Sequence, residues 1–306
     1  MIKTWSLHLT VACLLLGAAT GVQAKSCIGF IPSGGGGIFW KGVNSGAIEA
    51  GKALGYDIYF RGPQEENQAG IQTAVLEMVR QRGCNALVIA PGSADMALAV
   101  EKLQRSGVPV IYVDRTLGAP AATGMVGTDN FKAGQLAGEA MAKRLKGKGA
   151  VLLFRMKQGW QTTDQRESGF AEAAARKGLQ VIDGGYLGAV YGEAFVNASS
   201  ALVSQKGRFQ GVFAPNEATS MGVLAALRAQ RLAGHVTYIG VDVTDQLLEG
   251  LQSGAVTGLV VQAAHAIGYQ AVQMAVRAVD KKLPANRRVT VDAIYLTQEN
   301  IDSYIP

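Results

Sequence analysis

The sequence predicts an α/β protein made of two similar lobes, each a doubly wound parallel sheet covered by helices on both faces. Three observations support this prediction. Short apolar strand patterns alternate with amphipathic helix patterns along almost the whole chain, the alternation starts afresh near Asp129, and no Pro-rich or Ser-rich linker separates the halves. With 306 residues, 48% of them hydrophobic, the chain is long enough to bury two cores.

The first 24 residues have the pattern of a secretory signal peptide. Lys3 gives a basic start, residues 7–19 form an apolar stretch, and the segment ends in small residues at Gly21 and Ala24. The apolar stretch is too short to span a bilayer comfortably. We therefore expect export to the periplasm and a mature chain that begins at Lys25. Removing Lys3 from the 29 Lys and Arg leaves 28 against 23 Asp and Glu, a net charge of +5.

In the first half, four predicted strands alternate with three predicted helices. Gly55 and Gly83 follow the first two helices, as is common at helix C-termini. The predicted strands cover 28–31, 56–60, 86–90 and 110–113, and the helices cover 39–54, 67–81 and 94–106. The second of these helices has a predicted buried face, formed by Ile71, Val75, Met78 and Val79.

The second half repeats the pattern, with Asp129 as the expected N-cap of its first helix. The predicted strands cover 150–154, 180–186, 211–214, 237–241, 258–262 and 294–296, and the helices cover 129–146, 163–177, 193–204, 218–229, 247–252 and 264–279. The late helix 264–279 fits best if the chain crosses back to the first lobe. Several crossings would make a stiff hinge, which suits closure around a ligand.

Two cysteines remain after removal of the leader. Cys27 precedes the first strand and Cys84 precedes the strand at 86–90. In the usual doubly wound order these parallel strands are neighbours, so their starts lie at the same sheet edge. An oxidising compartment permits a disulfide between Cys27 and Cys84, and two separate buried thiols are the alternative.

The candidate site begins with two carboxylates at the ends of corresponding strands. Asp114, followed by Arg115, ends the strand at 110–113, and Asp242 ends the strand at 237–241. Ligands of open α/β sheets bind outside the carboxyl ends of strands, so these residues would face each other across a cleft. Buried carboxylates accept strong hydrogen bonds from hydroxyls. This favours a sugar or polyol ligand; a glycosidase acid–base pair is the catalytic alternative, but Arg115 favours acceptance over acid chemistry.

Other polar and aromatic residues follow strand ends in the same way. Aromatic faces stack on sugar rings, whereas amides and carboxylates bind hydroxyls. Each of these residues also has an alternative role that does not involve a ligand. The aromatic pair could pack in the core, Asn216 could cap a helix, and Asp164 could complement a helix dipole. The candidates beside the two aspartates are Phe39, Trp40, Arg115, Asp164, Gln165, Asn216 and Gln262.

Several function classes lack their signatures. The glycine run at 34–37 has neither the Gly-Lys-Ser/Thr ending of a phosphate loop nor dinucleotide-binding spacing, so we expect no cofactor. His8, His235 and His265 form no pair with metal spacing, and no nucleophile elbow is present, so we expect neither a metal nor an enzyme. The basic residues are scattered along the sequence and do not interleave with aromatics. This pattern disfavours a nucleic-acid-binding function.

Together these motifs resemble the periplasmic substrate-binding proteins of ABC sugar importers, of the ribose-binding type. The resemblance covers residues 26–306 and is carried by the ordered set Phe39-Trp40, Val113-Asp114-Arg115, Gly127-Thr128-Asp129-Asn130, Thr163-Asp164-Gln165-Arg166, Phe213-Ala214-Pro215-Asn216-Glu217, Ile239-Gly240-Val241-Asp242 and Val260-Val261-Gln262. It implies a monomer that delivers its ligand to an ABC permease. It also implies a hinge of three crossings, near 127–130, 262–264 and 289–291, between lobes formed by 25–127 with 263–290 and by 128–262 with 291–306.

Two departures from the ribose-binding pattern leave the ligand open. Gly37 stands where ribose binders carry an asparagine, and Asp164 stands where they carry an arginine. Asp164-Gln165 is similar to relatives that bind other monosaccharides or the furanosyl signal autoinducer-2. A sensory protein that presents its ligand to a receptor kinase or chemoreceptor is therefore the alternative function. Tyr186 and Tyr191 are candidates for the aromatic that the crossover loop contributes in this family.

Overall fold

The computed structural model describes residues 26–64, 68–116 and 123–303. The predicted signal peptide lies outside the described residues. The strands are β1 (Cys27–Ile31), β2 (Asp57–Phe60), β3 (Ala86–Ile89), β4 (Val110–Val113), β5 (Gly124–Thr128), β6 (Ala150–Arg155), β7 (Gln180–Tyr186), β8 (Gly211–Phe213), β9 (Thr237–Val241), β10 (Gly258–Val261), β11 (Arg288–Val291) and β12 (Ile294–Leu296). The helices are α1 (Ile38–Leu54), α2 (Ala69–Gln81), α3 (Ala94–Arg105), α4 (Asn130–Arg144), α5 (Gln161–Arg176), α6 (Tyr191–Ser204), α7 (Glu217–Ala229), α8 (Asp245–Gln252) and α9 (Ala264–Val279).

The strands form two six-stranded sheets, which confirms the predicted fold class. The first has the order β11-β5-β4-β3-β1-β2 and is parallel throughout. The second has the order β12-β10-β9-β8-β6-β7, and only β12 is antiparallel to its neighbour. Helices cover both faces of each sheet, and each lobe has its own buried apolar clusters.

The chain crosses between the lobes three times. It leaves the first sheet after β5, and α4 then packs against α5 beside the second sheet. It returns after β10, because α9 packs on α1 and on the first sheet. The third crossing lies between β11 and β12 at Asp292, just beyond the expected segment, because residues 288–291 pair with β5 in the first sheet.

The strands β5 and β11 were not expected from the sequence. They pair with each other at the hinge-side edge of the first sheet, from Arg288 opposite Met125 to Val291 opposite Thr128. Both are short, and the side chains of β11 alternate between exposed and half-buried. Their strand character depends on a partner far away in the chain, so local apolar patterning gives little signal.

The buried face of α2 differs from the prediction. Ile71 and Met78 are 42% and 50% exposed, whereas Val75 and Val79 are buried as expected. Gln72 takes the inward position: its amide donates to the carbonyls of residues 32 and 90 at 2.8 Å and accepts from the N–H of residue 92. A polar side chain at a core position is tolerated because all of these groups are hydrogen-bonded.

The predicted disulfide is present. Cys27 and Cys84 are bonded, with their Cα atoms 4.7 Å apart, at the starts of the neighbouring strands β1 and β3. Both residues are buried. The bond closes a segment of 57 residues within the first lobe.

Glycines bring one helix pair in each lobe into close contact. A Cβ atom at Gly46 of α1 would overlap the carbonyl oxygen of His265 in α9. In the second lobe, a Cβ atom at Gly134 of α4 would overlap the carbonyl oxygen of Arg166 in α5, and Gly169 approaches Phe131 in the same way. The close α4–α5 contact fixes the start of α5 against the first crossing. Within the described residues, no helix is long and apolar enough to span a bilayer.

Candidate ligand-binding site

Asp114 and Asp242 occupy equivalent places in the two lobes. Each follows the C-terminal end of its strand, β4 or β9, and each has a left-handed backbone, with φ of 65° and 70°. The N–H of each donates at 2.9 Å to a carbonyl of the next strand, on Val126 or Val260. Aspartate adopts this backbone region more readily than most residues. Both side chains are buried, with 6% and 9% of their surface exposed.

Asp114 is paired within the first lobe and linked to the second. Its Oδ2 accepts from Nε of Arg115 at 2.7 Å. The Arg115 guanidinium lies over the ring of Trp160, 5.6 Å from its centroid. Trp160 belongs to the second lobe, where it precedes α5. This cation–π contact therefore joins the lobes at the cleft.

Asp242 lies among several donors. Its Oδ1 accepts from the amide of Gln262 at 2.7 Å, and its Oδ2 accepts from the N–H of Glu217 at 3.2 Å. The Arg166 guanidinium is 3.9 Å away. Burial raises the pKa of Asp242 above its usual value, and the positive charge of Arg166 opposes that increase.

Gln262 connects the hinge to the site. Its amide nitrogen donates to Asp242, and its Oε1 accepts from the hydroxyl of Thr128 at 2.7 Å. Thr128 ends β5 at the first crossing, and Gln262 follows β10 at the second. The two crossings are thus hydrogen-bonded to each other beside the second-lobe carboxylate.

The structure adds Arg166 to the predicted set. Its side chain is buried, and its guanidinium donates to Asn130 Oδ1 at 2.8 Å and to the carbonyl of residue 215 at 3.0 Å. Sequence analysis selected its neighbours Asp164 and Gln165 instead. The helical spacing of the buried residues Thr163, Arg166 and Phe170 is the signal that could have identified it.

Asp164 and Gln165 lie at the less buried side of α5. Asp164 is half-buried in the first turn, a place where an acid also complements the helix dipole. Gln165 is exposed, and together with Asp114 and Arg115 it lines a cavity beside the hinge strands. Its side chain is therefore brought near the first-lobe carboxylate.

Asn216 is the N-cap of α7. Its Oδ1 accepts from the N–H of Thr219 at 3.3 Å, and the Thr219 hydroxyl accepts from the N–H of Asn216, which completes a capping box. Among the described residues we find no hydrogen bond of the Asn216 amide nitrogen. A role of that nitrogen in ligand binding stays a prediction.

The aromatic pair is divided between core and surface. Trp40 is only 5% exposed and packs in the first-lobe core. Phe39 is half-buried beside it, with ring centroids 4.9 Å apart. Tyr186 and Tyr191 are 48% and 47% exposed. Trp160 of the second lobe contacts the predicted site residue Arg115 across the cleft.

A third buried carboxylate supports the loop that carries Trp160. Glu167 is 1% exposed; it accepts from the N–H of Met156 at 3.1 Å and lies 3.4 Å from the Arg155 guanidinium. Burial raises the pKa of Glu167 to about 7, and these two contacts oppose the increase.

The arrangement suits recognition of a neutral, hydroxyl-rich molecule. Buried carboxylates and amides accept and donate hydrogen bonds, and each aspartate has an arginine nearby. Within the described residues, no group of His, Cys, Asp or Glu has the arrangement of a metal site. Two α/β lobes, three crossings and a buried polar site between them define a two-lobed ligand-binding protein.

Comparison with known proteins agrees with this class. The family model described as "Periplasmic binding protein domain" matches residues 28–283, so the chain belongs to that family. The ribose import binding protein of Bacillus subtilis is 28% identical, over 90% of this chain and 90% of that protein. The crystal structure of the periplasmic component of an ABC-type sugar transport system from Hahella chejuensis is 30% identical with a TM-score of 0.78, over 88% of this chain and 99% of that one. A carbohydrate transporter solute-binding protein from Agrobacterium radiobacter, in complex with D-arabinose, is 28% identical with a TM-score of 0.78, over 91% of this chain and 96% of that one.

Proposed function

We propose that this protein captures a small sugar or polyol between its lobes and delivers it to an ABC permease. The observation that carries the proposal is the pair of buried carboxylates, Asp114 and Asp242, at equivalent strand ends of the two lobes. Relatives named for ribose import and for a D-arabinose complex support a monosaccharide as the ligand. The same relatives support a role in sugar import over the alternative, in which the protein presents a signal molecule to a receptor.

The proposed binding residues are those expected from the sequence, with Arg166 and Trp160 added. Asp114 and Asp242 accept hydrogen bonds from hydroxyls, and Gln262 and Asn216 supply amides. A missing or inverted hydroxyl would leave one of these buried groups without a partner, which is the basis of specificity. Bound this way, the ligand undergoes no chemistry. The full proposed set is Phe39, Trp40, Asp114, Arg115, Trp160, Asp164, Gln165, Arg166, Asn216, Asp242 and Gln262. Within this set Trp40 acts from the core, where it packs against Phe39, and does not touch the ligand.

The remaining parts of the proposal concern location and movement. In this proposal the predicted N-terminal leader directs export to the periplasm, and the protein acts there as a monomer, as its transport role implies. The lobes of this proposal divide near residues 127, 262 and 290, and β5 and β11 belong to the first-lobe sheet. Closure of the lobes presents the loaded form to the permease.

A thermal-shift screen of the mature chain tests the function. Monosaccharides, polyols and amino acids are compared at equal concentration. At ligand about a hundredfold above the dissociation constant, linkage adds about 2.7 kcal/mol to the free energy of unfolding. We expect a rise in melting temperature of roughly 5–10 °C with one sugar and its near epimers. No rise with any sugar or polyol would contradict the proposal.

Substitutions of the two carboxylates test the site. Asp114→Asn and Asp242→Asn keep the shape of the side chain and a residue type that tolerates the left-handed backbone. Each should weaken binding of the sugar found in the screen at least about tenfold, because an amide nitrogen replaces an acceptor. Asp245→Asn, exposed in the first turn of α8, is the matched control and should bind normally. Normal binding by either site variant would refute the assignment.

A further inference from the structure

One end of the second lobe concentrates basic side chains. The chain enters the parallel strands β6 to β10 from the same edge of the sheet, opposite to the edge that carries Asp242. The turns and last helical residues at this edge carry ten exposed Lys and Arg. We call this surface the basic pole; it consists of Lys143, Arg144, Lys146, Lys148, Arg176, Lys177, Lys206, Arg208, Arg228 and Arg231.

The turns of the basic pole are joined by hydrogen bonds. The N–H of residue 180 donates to the carbonyl of Gly149 at 3.0 Å. The side-chain Oε1 of Gln210 accepts from the N–H of Ala150 at 2.8 Å, and its carbonyl accepts from the N–H of Thr237 at 3.0 Å. The turns before β6, β7, β8 and β9 therefore form one continuous surface, and their charges act together.

Little negative charge offsets this surface. The turns at 145–149, 177–179, 205–210 and 230–236 contain no Asp or Glu. Of the ten basic residues, Arg176 alone forms an ion pair within the described chain, with Glu139 and Glu172. The acids Glu299 and Asp302 follow β12, at the side of the sheet beyond the uncharged turn 253–257.

The corresponding edge of the first lobe also carries ten exposed Lys and Arg, and it differs from the basic pole in how many of them are paired with acids. The ten are Lys52, Arg80, Arg82, Lys102, Arg105, Arg277, Lys281, Lys282, Arg287 and Arg288. The two sheets have equivalent strand orders and differ in the direction of the edge strand, and the first-lobe helices also end in Lys or Arg. There, however, Arg80 pairs with Glu77, Arg105 with Glu101, and Lys282 with Asp280. These local pairs neutralise part of the first-lobe charge.

We propose that the basic pole holds the protein on an anionic phospholipid surface. Clustered Lys and Arg attract anionic headgroups, and the attraction acts within about 10 Å at 0.1 M salt. The only aromatic in its turns, Phe209, is buried, so the surface offers no ring for stacking on nucleic-acid bases. This inference rests on the proposed export, because an exported protein meets membranes. The pole lies at the sheet edge opposite to the one that carries Asp242, so lipid contact leaves the ligand site unobstructed.

Vesicle sedimentation tests this proposal without any sugar, so its outcome is independent of the proposed ligand. Mature protein is mixed with vesicles of phosphatidylcholine alone or of phosphatidylcholine with phosphatidylglycerol, at low and high salt. We expect binding only to the phosphatidylglycerol vesicles and its loss at high salt. The variant Lys146→Gln/Lys148→Gln/Lys206→Gln/Arg208→Gln should bind at least about tenfold more weakly.

The matched control removes four charges from the first lobe, as Lys52→Gln/Lys102→Gln/Arg105→Gln/Lys281→Gln. It should bind the vesicles nearly as well as the unchanged protein. Both variants should keep the melting temperature, which separates lost binding from lost folding. Equal losses in the two variants would show an effect of net charge alone and overturn the proposal. Absence of binding, or tighter retention on DNA-coated beads of equal phosphate content, would overturn it as well.

Discussion

At the scale of single residues, Trp160 is the expected reporter of ligand binding. It touches Arg115 across the cleft, whereas Trp40 is buried in the first-lobe core. Ligand binding should therefore change the fluorescence of Trp160, and Trp160→Phe should abolish that change. Trp40→Phe should retain it. Loss of the fluorescence change in Trp40→Phe but not in Trp160→Phe would show that Trp40 contacts the sugar, as the sequence predicts.

Glu167 should make stability depend on pH. Its pKa is about 7 in the folded protein, against 4.5 for the free side chain. Between these values the folded state binds more protons than the unfolded state, so the free energy of unfolding falls as pH rises from about 4.5 to 7. The full effect is at most about 3 kcal/mol.

The variant Glu167→Gln isolates this effect, because glutamine stays neutral throughout. Its melting temperature should fall less between pH 5 and 7 than that of the unchanged protein. Asp183→Asn, which changes an exposed partner of the same Arg155, is the control and should keep the original slope. Parallel pH curves for Glu167→Gln and the unchanged protein would contradict the assignment.

At the scale of secondary-structure elements, the α4–α5 contact should be intolerant of a single added methyl group. Gly134→Ala places a Cβ against the carbonyl oxygen of Arg166. Overpacking of this kind costs about 1–3 kcal/mol, and displacement of Arg166 should also weaken sugar binding. Gly192→Ala in α6, where a Cβ meets nothing within 4 Å, is the control and should be neutral or slightly stabilising. Chemical denaturation measures the free energy of unfolding of both variants. If Gly134→Ala were as stable as the unchanged protein, the close contact would be refuted.

The elements also show where a local pattern misleads. In α2, hydrophobicity places Ile71 and Met78 in the core, yet the helix turns Gln72 inward. Gln72 fits there because two carbonyls and one N–H from separate loops meet its amide. A pattern based on hydrophobicity cannot include those partners, since they come from other parts of the chain.

At the scale of the whole molecule, Ile38 should stabilise the contact between the two lobes. It begins α1 in the first lobe but packs against the core cluster of the second. Ile38→Ala removes apolar contact worth about 1 kcal/mol and should weaken sugar binding about fivefold. Ile48→Ala, 53% exposed on the same helix, should bind normally. Isothermal titration with the sugar from the screen measures both, and unchanged affinity for Ile38→Ala would refute the role.

The sequence by itself determined the two α/β lobes, the order of most strands and helices, and the strand ends that carry Asp114 and Asp242. It placed Cys27 and Cys84 at one sheet edge, and the structure decided for the disulfide over two separate thiols. These features follow from local periodicity and from the rule that parallel strands share one edge. Only the tertiary structure decided that β5 and β11 pair, that Arg166 turns toward Asp242, and that Trp160 meets Arg115. Each of these depends on contacts between distant parts of the chain, which local sequence patterns do not encode.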